Sequence, residues 1–412
     1  MEGAGSLLLL AAAQETGLVA ALRAALPAAL PADNKRRDYQ TSASRQALVL
    51  TLLFLGAVGL RRTWDLRGYT GDALALLTGR GRAYGYRHVE RFLAAVARAG
   101  GAETLTDGVA AWAARLWSPS HRAAGEPPPA YYIDGHRKAV YSDALVPRGL
   151  VARRGTVLGC RALTLLHDEQ GHPLLATTHR GDTHLTASLP AIVARYEAVA
   201  GAGTVRRIIV DREGLAAPLL ARLAAEGRTA VTLLRANQHA GLDSFADIGA
   251  FIPLAHDAKG RVVREVASAR FALPLSDQPG QTLALGVALV RDHRRQVPCG
   301  AVDAPDLAPL GPDWGTAEWV ATATPATPTA PRLVPVVTTA TDVDAPALVR
   351  TYLRRWPAQE NVIRDFLLPL GLDTNHGYAQ APVANSEVAK RRAPLERRLA
   401  NARRWGEAAR VP

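Results

Sequence analysis

A change in hydrophobic period near residue 125 restricts the fold of this chain more than any other feature of its sequence. Upstream, through residues 1–120, apolar side chains recur at the three- and four-residue spacing of amphipathic helices. The proline run in GEPPPA (125–130) cannot continue a helix and indicates a linker. Downstream, apolar and polar residues alternate as they do in strands. We therefore expect an all-α N-terminal domain at residues 1–124 and a sheet-containing domain after the linker.

The segment from 131 to 235 predicts one defined order of elements. A strand is followed by a hairpin that turns at DEQG, and then by a helix, a strand, a helix and a strand. The predicted elements lie at 131–142, 161–179, 189–200, 205–211, 215–225 and 229–235. This is the order of an RNase H-like mixed α/β core, and we assign its first part to residues 131–235.

The pattern changes again after residue 235. Short apolar runs separated by turn-rich segments, such as TATPATPTAP (322–331), predict a β-rich insertion at 236–340. A helix is expected within 341–380, where the chain would return to the core. The final segment, 381–412, is basic and predicts a helical tail.

The charge of the chain favours a polyanionic partner. It has 49 basic against 37 acidic residues and a net charge of +12, which points to nucleic acid first and to an anionic membrane second. A GC-rich genome would explain why 45 of the basic residues are Arg and only 4 are Lys. It would not explain the excess of basic over acidic residues, so nucleic acid is the expected partner.

Cysteine usage and hydropathy point to a cytoplasmic location without a membrane partner. Cys160 and Cys299 lie far apart and no CxxC pair is present, so neither a disulfide framework nor a Cys-rich zinc site is predicted. The apolar run Ala47–Leu60 is too short to span a bilayer and predicts a buried helix.

Two aspartates stand where apolar strands end. Asp134 lies in YYIDGH (131–136), and Asp211 lies in RIIVDREG (207–214). A carboxylate in such a position is costly to bury unless it is paired, and a divalent cation is a natural partner because hard metals take oxygen ligands. A helix cap or a strand-end turn would explain either aspartate alone. Two such strands in the right order favour a shared site.

The third acidic candidate is Glu360, in YLRRWPAQENVIRDF (352–366). The apolar positions Trp356, Ile363 and Phe366 of this helix are expected to pack inward. Arg364 lies one turn beyond Glu360, so an ordinary surface salt bridge is the alternative explanation for this acid.

Together, these three segments resemble bacterial insertion-sequence DDE transposases, in the branch that carries a β-rich insertion before the catalytic Glu. The resemblance implies Asp134, Asp211 and Glu360 as the catalytic and metal-binding acids. The Tyr-x-x-Arg-Trp sequence that precedes the family's Glu is matched by Tyr352, Arg355 and Trp356. Some relatives have one residue fewer between this Arg-Trp pair and the Glu. Some also carry a Lys two turns after the Glu, where this chain has Leu367.

The resemblance also implies a reaction and partners. The reaction would be DNA cleavage and strand transfer by two bound Mg²⁺ or Mn²⁺ ions. The partners would be the DNA ends of the element and a target DNA, with a homodimer holding the paired ends.

Several basic and aromatic residues are candidates for DNA contact. Residues 71–100 predict a helix, a Gly/Arg turn and a second helix, as in a helix-turn-helix, although a plain helical hairpin fits equally well. The candidates in this segment are Arg80, Arg82, Arg87 and Arg91. In the second domain they are His136, Arg355, Trp356 and Arg364, where His136 has an equally good structural explanation.

Three functions remain open from the sequence. The first is an active transposase. The second is a truncated, inactive remnant that only binds DNA, and the third is a non-transposing RNase H-like nuclease with the same carboxylates.

Overall fold

The fold was analysed in a computed structural model. It describes residues 5–30, 41–69, 71–117, 127–141, 146–151, 155–298, 329–372, 392 and 395–404. Side chains at 71–73, 295–298 and 329–330 are outside this description.

The N-terminal residues form helices, as their hydrophobic period predicts. The elements are α1 (Ser6–Glu15), α2 (Leu18–Ala25), α3 (Ser42–Ala57), a short 3-10 helix (Thr63–Gly68), α4 (Gly71–Leu77), α5 (Tyr86–Arg98) and α6 (Gly101–Leu116). Leu48 and Phe54 from α3 meet Phe92 from α5 in a shared core. The helix α6 also faces the second domain, because Ala110 and Ala113 belong to that domain's core.

The second domain is built on one mixed sheet. Its first elements are β1 (Ala130–Ala139), β2 (Arg148–Val151), β3 (Thr156–His167), β4 (Pro173–Arg180), α7 (Leu185–Ala200), β5 (Arg207–Val210), α8 (Ala217–Ala225) and β6 (Thr229–Leu233). The spatial order of the core strands is β4-β3-β1-β5-β6, and β2 pairs with the start of β3. β1, β5 and β6 are parallel, whereas β3 runs antiparallel to β1. This arrangement confirms the predicted RNase H-like mixed α/β core.

The strands of segment 236–340 continue the core sheet. They are β7 (Ile252–His256), β8 (Val262–Pro274), β9 (Thr282–Pro298) and β10 (Thr329–Thr338). β10 pairs antiparallel with β6, and β9, β8 and β7 follow outward in that order. Most of the turn-rich segment 322–331 lies outside the described residues.

A long helix covers one face of the sheet. It begins as α9 (Ala345–Leu353), where the Asp344 carboxylate accepts a hydrogen bond from the Ala347 N–H at 3.0 Å. It continues through two π-helical turns at Trp356–Glu360 and Ile363–Leu367. Val349 on this helix packs with Tyr132 from β1. The opposite face of the sheet is covered by α6, α7 and α8, which gives three layers. Of the predicted basic tail, residues 395–404 are helical.

One helix pair in the described ranges is apolar over a length comparable with a membrane span. No single helix there is both long and apolar enough to cross a membrane, and only α1 and α2 reach that length together, bent by 69°.

The first prediction concerns the ion pair between Glu197 on α7 and Arg228 before β6. The Arg228 guanidinium donates to both Glu197 carboxylate oxygens at 2.7 and 2.8 Å and to the Val205 carbonyl at 2.6 Å. These hydrogen bonds hold the pKa of Glu197 below its ordinary value. Glu197→Gln should therefore lower the free energy of unfolding by about 2 kcal/mol at pH 7.

The loss in the free energy of unfolding caused by Glu197→Gln should depend on pH in a definite direction. A carboxyl whose pKa is lowered by folding contributes stability above its ordinary pKa and loses it as the pH falls through the lowered value. The gap between wild type and Glu197→Gln should thus close in acid, as measured by urea unfolding between pH 7 and pH 3. Glu226→Gln is the control, because Glu226 is 38% exposed where it pairs with Arg228, and its loss should stay within about 0.5 kcal/mol. A pH-independent loss at Glu197 would contradict the assignment.

Candidate active site

The strand register brings the two predicted aspartates to one edge of the sheet. β1 and β5 are neighbouring parallel strands, and their last paired residues are Ile133 and Val210. Asp134 and Asp211 come next on each strand. Asp134 lies inside β1, which continues to Ala139 beside β3, whereas Asp211 follows the last residue of β5. Both acids lie where the parallel pairing of β1 with β5 ends, on the same side of the sheet. The predicted adjacency of the two strands is confirmed.

Local hydrogen bonds fix the backbone around both aspartates. The Gly135 N–H donates to Asp134 Oδ1 at 2.8 Å. The Glu213 N–H donates to Asp211 Oδ1 at 2.7 Å, so Asp211 also caps the short turn that follows β5. The Thr232 hydroxyl on β6 donates to the Asp211 carbonyl oxygen at 2.6 Å. The turn-cap role considered for Asp211 alone is therefore real, and it engages the Oδ1 atom of the carboxylate.

Glu360 faces a buried arginine. The Arg355 guanidinium donates to the Glu360 carboxylate, and its side chain is only 8% exposed against 31% for Glu360. Residues five apart lie on different sides of an α-helix, but the π-helical turn at Trp356–Glu360 has i to i+5 geometry and brings them together. The expected alternative, a pair between Glu360 and Arg364, is not formed: Arg364 instead donates to Asp365 at 2.7 and 2.9 Å.

Arg355 interacts with all three candidate acids. Burial raises the pKa of Asp134 to about 7, while the Arg355 charge opposes this rise and the charges of Asp211 and Glu360 add to it. Asp211 and Glu360 also act electrostatically on Arg355 itself. The three carboxylates and the Arg355 guanidinium thus lie close enough to interact electrostatically. The positive charge of Arg355 offsets the repulsion between the carboxylates.

The side chains of this site have the ligand chemistry that a hard divalent cation requires. Three carboxylates near one sheet edge are oxygen ligands of the type that Mg²⁺ and Mn²⁺ prefer. Within the described ranges, however, no three His, Cys, Asp or Glu side chains are arranged so that they could hold a metal ion. The Glu360 carboxylate is paired with the Arg355 guanidinium. The catalytic and metal-binding roles of the three acids stay predictions.

The helix around Glu360 departs from the sequence prediction at two positions. Phe366, expected to pack inward, is 62% exposed, whereas Ile363 is buried as expected. The π-helical turns explain the difference, because each adds a residue to its turn and rotates the following side chains away from their α-helical direction. Arg355, predicted as a DNA contact, is buried against the carboxylates, and Trp356 is half-buried beside it.

The predicted DNA contacts of the N-terminal domain lie where two helices meet. α4 ends at Leu77 and α5 begins at Tyr86, so a helix, a turn and a helix are present as predicted. Arg82 and Arg87 are exposed, and Arg80 and Arg91 are half-buried. In the second domain, His136 is half-buried on β1, two residues beyond Asp134. The structure leaves the DNA-binding roles of these residues as predictions.

One residue of the site was not anticipated from the sequence. Gln359 is fully buried next to Glu360, and neither atom of its amide has a hydrogen-bond partner in the described part of the chain. A buried amide without partners is costly, at about 1–3 kcal/mol. The apolar residues around Gln359 gave no sign of this in the sequence. The segment that carries Glu360 is therefore not held by a complete hydrogen-bond network.

Comparison with known proteins gives a structural likeness. No protein-family model and no curated protein matches the chain. Among solved structures, one match is the piggyBac transposase synaptic complex with hairpin DNA, solved by cryo-EM, at 12% identity and a TM-score of 0.37. The match covers 80% of this chain and 62% of the piggyBac chain, so this chain spans less than two thirds of that protein's length.

The second prediction concerns how much the charged Asp134 carboxylate destabilises the folded protein. Folding raises its pKa from 3.8 to about 7, so the cost is absent at low pH, grows as the pH rises through this window and is complete above it. Asp134→Asn should therefore stabilise the protein in EDTA by about 1–3 kcal/mol at pH 8, and less at pH 5. Thermal unfolding at both pH values measures this gain. Asp365→Asn, an exposed acid on the helix that carries Glu360, is the control and should show no such gain. If Asp134→Asn destabilises the protein at pH 8, the acid is not in the environment described.

Proposed function

We propose that the chain is a DDE-type transposase that cleaves and joins DNA at the ends of an insertion sequence. The observation that carries this proposal is the parallel register of β1 and β5, which places Asp134 and Asp211 side by side at one sheet edge. The helix that carries Glu360 packs over the same strands. An aspartate on the first core strand, a second aspartate at the end of the fourth strand and a glutamate on a helix are the arrangement that the family resemblance implies.

Each of the three acids has a defined part in the proposed reaction. Asp134 and Asp211 would hold a divalent cation between the two strand ends, and Glu360 would complete the set from the helix. When bound, the metal supplies Lewis acidity that activates a water or a 3′-hydroxyl and stabilises the leaving oxygen. The protein's own contribution is to fix the acids rigidly, since positioning and charge stabilisation dominate phosphoryl transfer.

Arg355 has two successive partners in this proposal. Glu360 is bonded to Arg355 and must exchange that guanidinium for the metal. Once released from Glu360, the Arg355 guanidinium could donate two parallel hydrogen bonds to a pair of phosphate oxygens of the DNA. The exchange therefore reconciles the burial of Arg355 with its predicted contact to DNA.

The pairing of Glu360 with Arg355 also favours a second candidate function, a remnant that binds DNA without cutting it. If Arg355 cannot leave Glu360, the site stays closed to metal. Among the described residues, no metal-holding group of three acids is formed, which is the state such a remnant would keep. Cleavage measured on DNA that carries the element's own ends decides between the two.

The third prediction tests the catalytic acids. Asp134→Asn, Asp211→Asn and Glu360→Gln should each abolish Mg²⁺-dependent strand cleavage, by at least about 1000-fold, because each removes one metal-binding charge at constant size. DNA binding measured in EDTA should persist in all three. Cleavage is followed on labelled DNA in gels with Mg²⁺ and with Mn²⁺.

Asp365→Asn is the matched control for the acids, because Asp365 lies five residues beyond Glu360 and is paired with Arg364. It should cut like wild type. An inactive Asp365→Asn beside a normal Glu360→Gln would mean that the wrong acid has been assigned. A wild-type protein that binds its ends but cleaves with neither metal would establish the remnant.

The fourth prediction tests DNA binding by the N-terminal domain. Replacing Arg80, Arg82, Arg87 and Arg91 with Ala should weaken duplex binding and make the dependence on salt less steep, by about 0.9 in log–log slope for each phosphate that the variant no longer neutralises. The control is Arg261→Ala with Arg270→Ala, whose side chains on or next to β8 are 53% and 67% exposed. The control removes two charges where the test variant removes four, so an equal loss of binding free energy per charge removed in both would show a general charge effect instead of a defined surface.

A further inference from the structure

A large aromatic side chain stands exposed in the N-terminal domain. Trp64, in the 3-10 helix, is 48% exposed although Leu66 beside it is buried. The helix that presents it is fixed at its start: the Asp65 carboxylate accepts from the Arg62 N–H at 3.1 Å, and the Thr63 hydroxyl donates to Glu90 on α5 at 2.9 Å. An indole is therefore presented to solvent from a rigid backbone.

Aromatic and cationic groups surround this indole. The Tyr86 ring lies against it edge to face, with centroids 4.7 Å apart and planes inclined at 66°. The Arg67 guanidinium lies 4.3 Å from the centre of the Trp64 ring. Arg87 lies 5.6 Å from the centre of the Tyr86 ring and donates to the Tyr86 hydroxyl at 3.0 Å. We call Trp64, Arg67, Tyr86 and Arg87 the Trp64 surface.

The Trp64 surface lies in a basic region close to the catalytic helix. Its acidic neighbours Asp65 and Glu90 are both engaged in the hydrogen bonds that fix the 3-10 helix. Arg61 donates to the Pro369 carbonyl at 2.9 Å, which ties this region to the end of the helix that carries Glu360. An exposed indole with arginines nearby therefore lies in the region that contacts the end of this helix.

We propose that the Trp64 surface binds an unpaired nucleotide of single-stranded DNA, with the base stacked on the Trp64 ring and the adjoining phosphates held by Arg67 and Arg87. The proposal rests on the proposed function in taking DNA as the polymer. Stacking platforms flanked by arginines are a general solution for single strands, since every base offers a π face. A duplex offers no such face along its length, so the surface selects unpaired DNA.

The contact between Arg67 and Trp64 does not oppose this binding. A cation over an exposed aromatic ring is a weak interaction, and base–aromatic stacking is stronger. A base can therefore take the place of the guanidinium. The displaced Arg67 would then be near the phosphate that follows the base, where it gains a charged partner.

The experiment measures binding of the full chain in EDTA, so that cleavage plays no part. Fluorescence anisotropy compares a labelled 12-mer of thymidylate, the same 12-mer with abasic sites, and a duplex of equal length. The proteins are wild type, Trp64→Ala, Trp64→Phe and the control Leu76→Ala. Leu76 on α4 is 73% exposed but has no ring.

Trp64→Ala should lose about tenfold in affinity for the thymidylate strand and little for the duplex. Trp64→Phe should retain most of the affinity, and Leu76→Ala should match wild type. Wild type should lose about as much affinity when the bases are removed from the strand as when Trp64 is replaced by Ala. Trp64→Ala should bind the thymidylate and abasic strands with equal affinity. If the two losses of affinity do not add, the ring and the base contact each other, and stacking is distinguished from a charge effect.

Three results would overturn the proposal. One is unchanged single-strand affinity in Trp64→Ala. Another is an equal loss for single strand and duplex in that variant. The last is a change in oligomeric state on light scattering with no loss of DNA affinity, which would make the surface a contact between protein chains. The binding assay needs no cleavage, so a wild-type protein that cuts no DNA while Trp64→Ala loses single-strand affinity would refute the active transposase and leave the stacking proposal standing.

Discussion

Carboxylates of like charge cannot gather at the partly buried edge of a sheet without a cation, and here the Arg355 guanidinium is that cation. It is 6% exposed, acts on Asp134, Asp211 and Glu360, and lies within 6 Å of the Tyr352 and Trp356 rings. A guanidinium stays charged at any physiological pH, so the compensation is permanent. The orientation of the third acid depends on this one buried charge, because Arg355 donates to the Glu360 carboxylate.

The core of the fold could be predicted from the sequence because its signals are local. The apolar runs that precede Asp134 and Asp211, and a hairpin with a glycine in its turn, each follow from a few adjacent residues. The pairing of β10 with β6 could not be predicted in the same way. It joins strands about 100 residues apart, and an alternating pattern specifies which face is buried but not which strand lies alongside.

The helix around Glu360 shows where periodic reasoning fails. An α-helical pattern put Phe366 inside and Arg364 beside Glu360, whereas the structure exposes Phe366 and pairs Glu360 with Arg355. Pro357 lies in the first π-helical turn, and a proline has no N–H to donate to the regular helix ladder. The wide turn brings Glu360 to the side of the helix that faces Arg355.

Other elements anchor this helix upstream and downstream of Glu360. Upstream, the Tyr132 hydroxyl donates to the Thr351 carbonyl at 3.0 Å, and Arg354 donates to the Glu169 carbonyl at 2.7 Å. At the far end, Arg61 holds the Pro369 carbonyl from the N-terminal domain. Between these anchors lie both π-helical turns and the unbonded Gln359 amide. Fixed ends confine any adjustment to the middle of the helix, which is the segment that carries both Glu360 and its arginine partner.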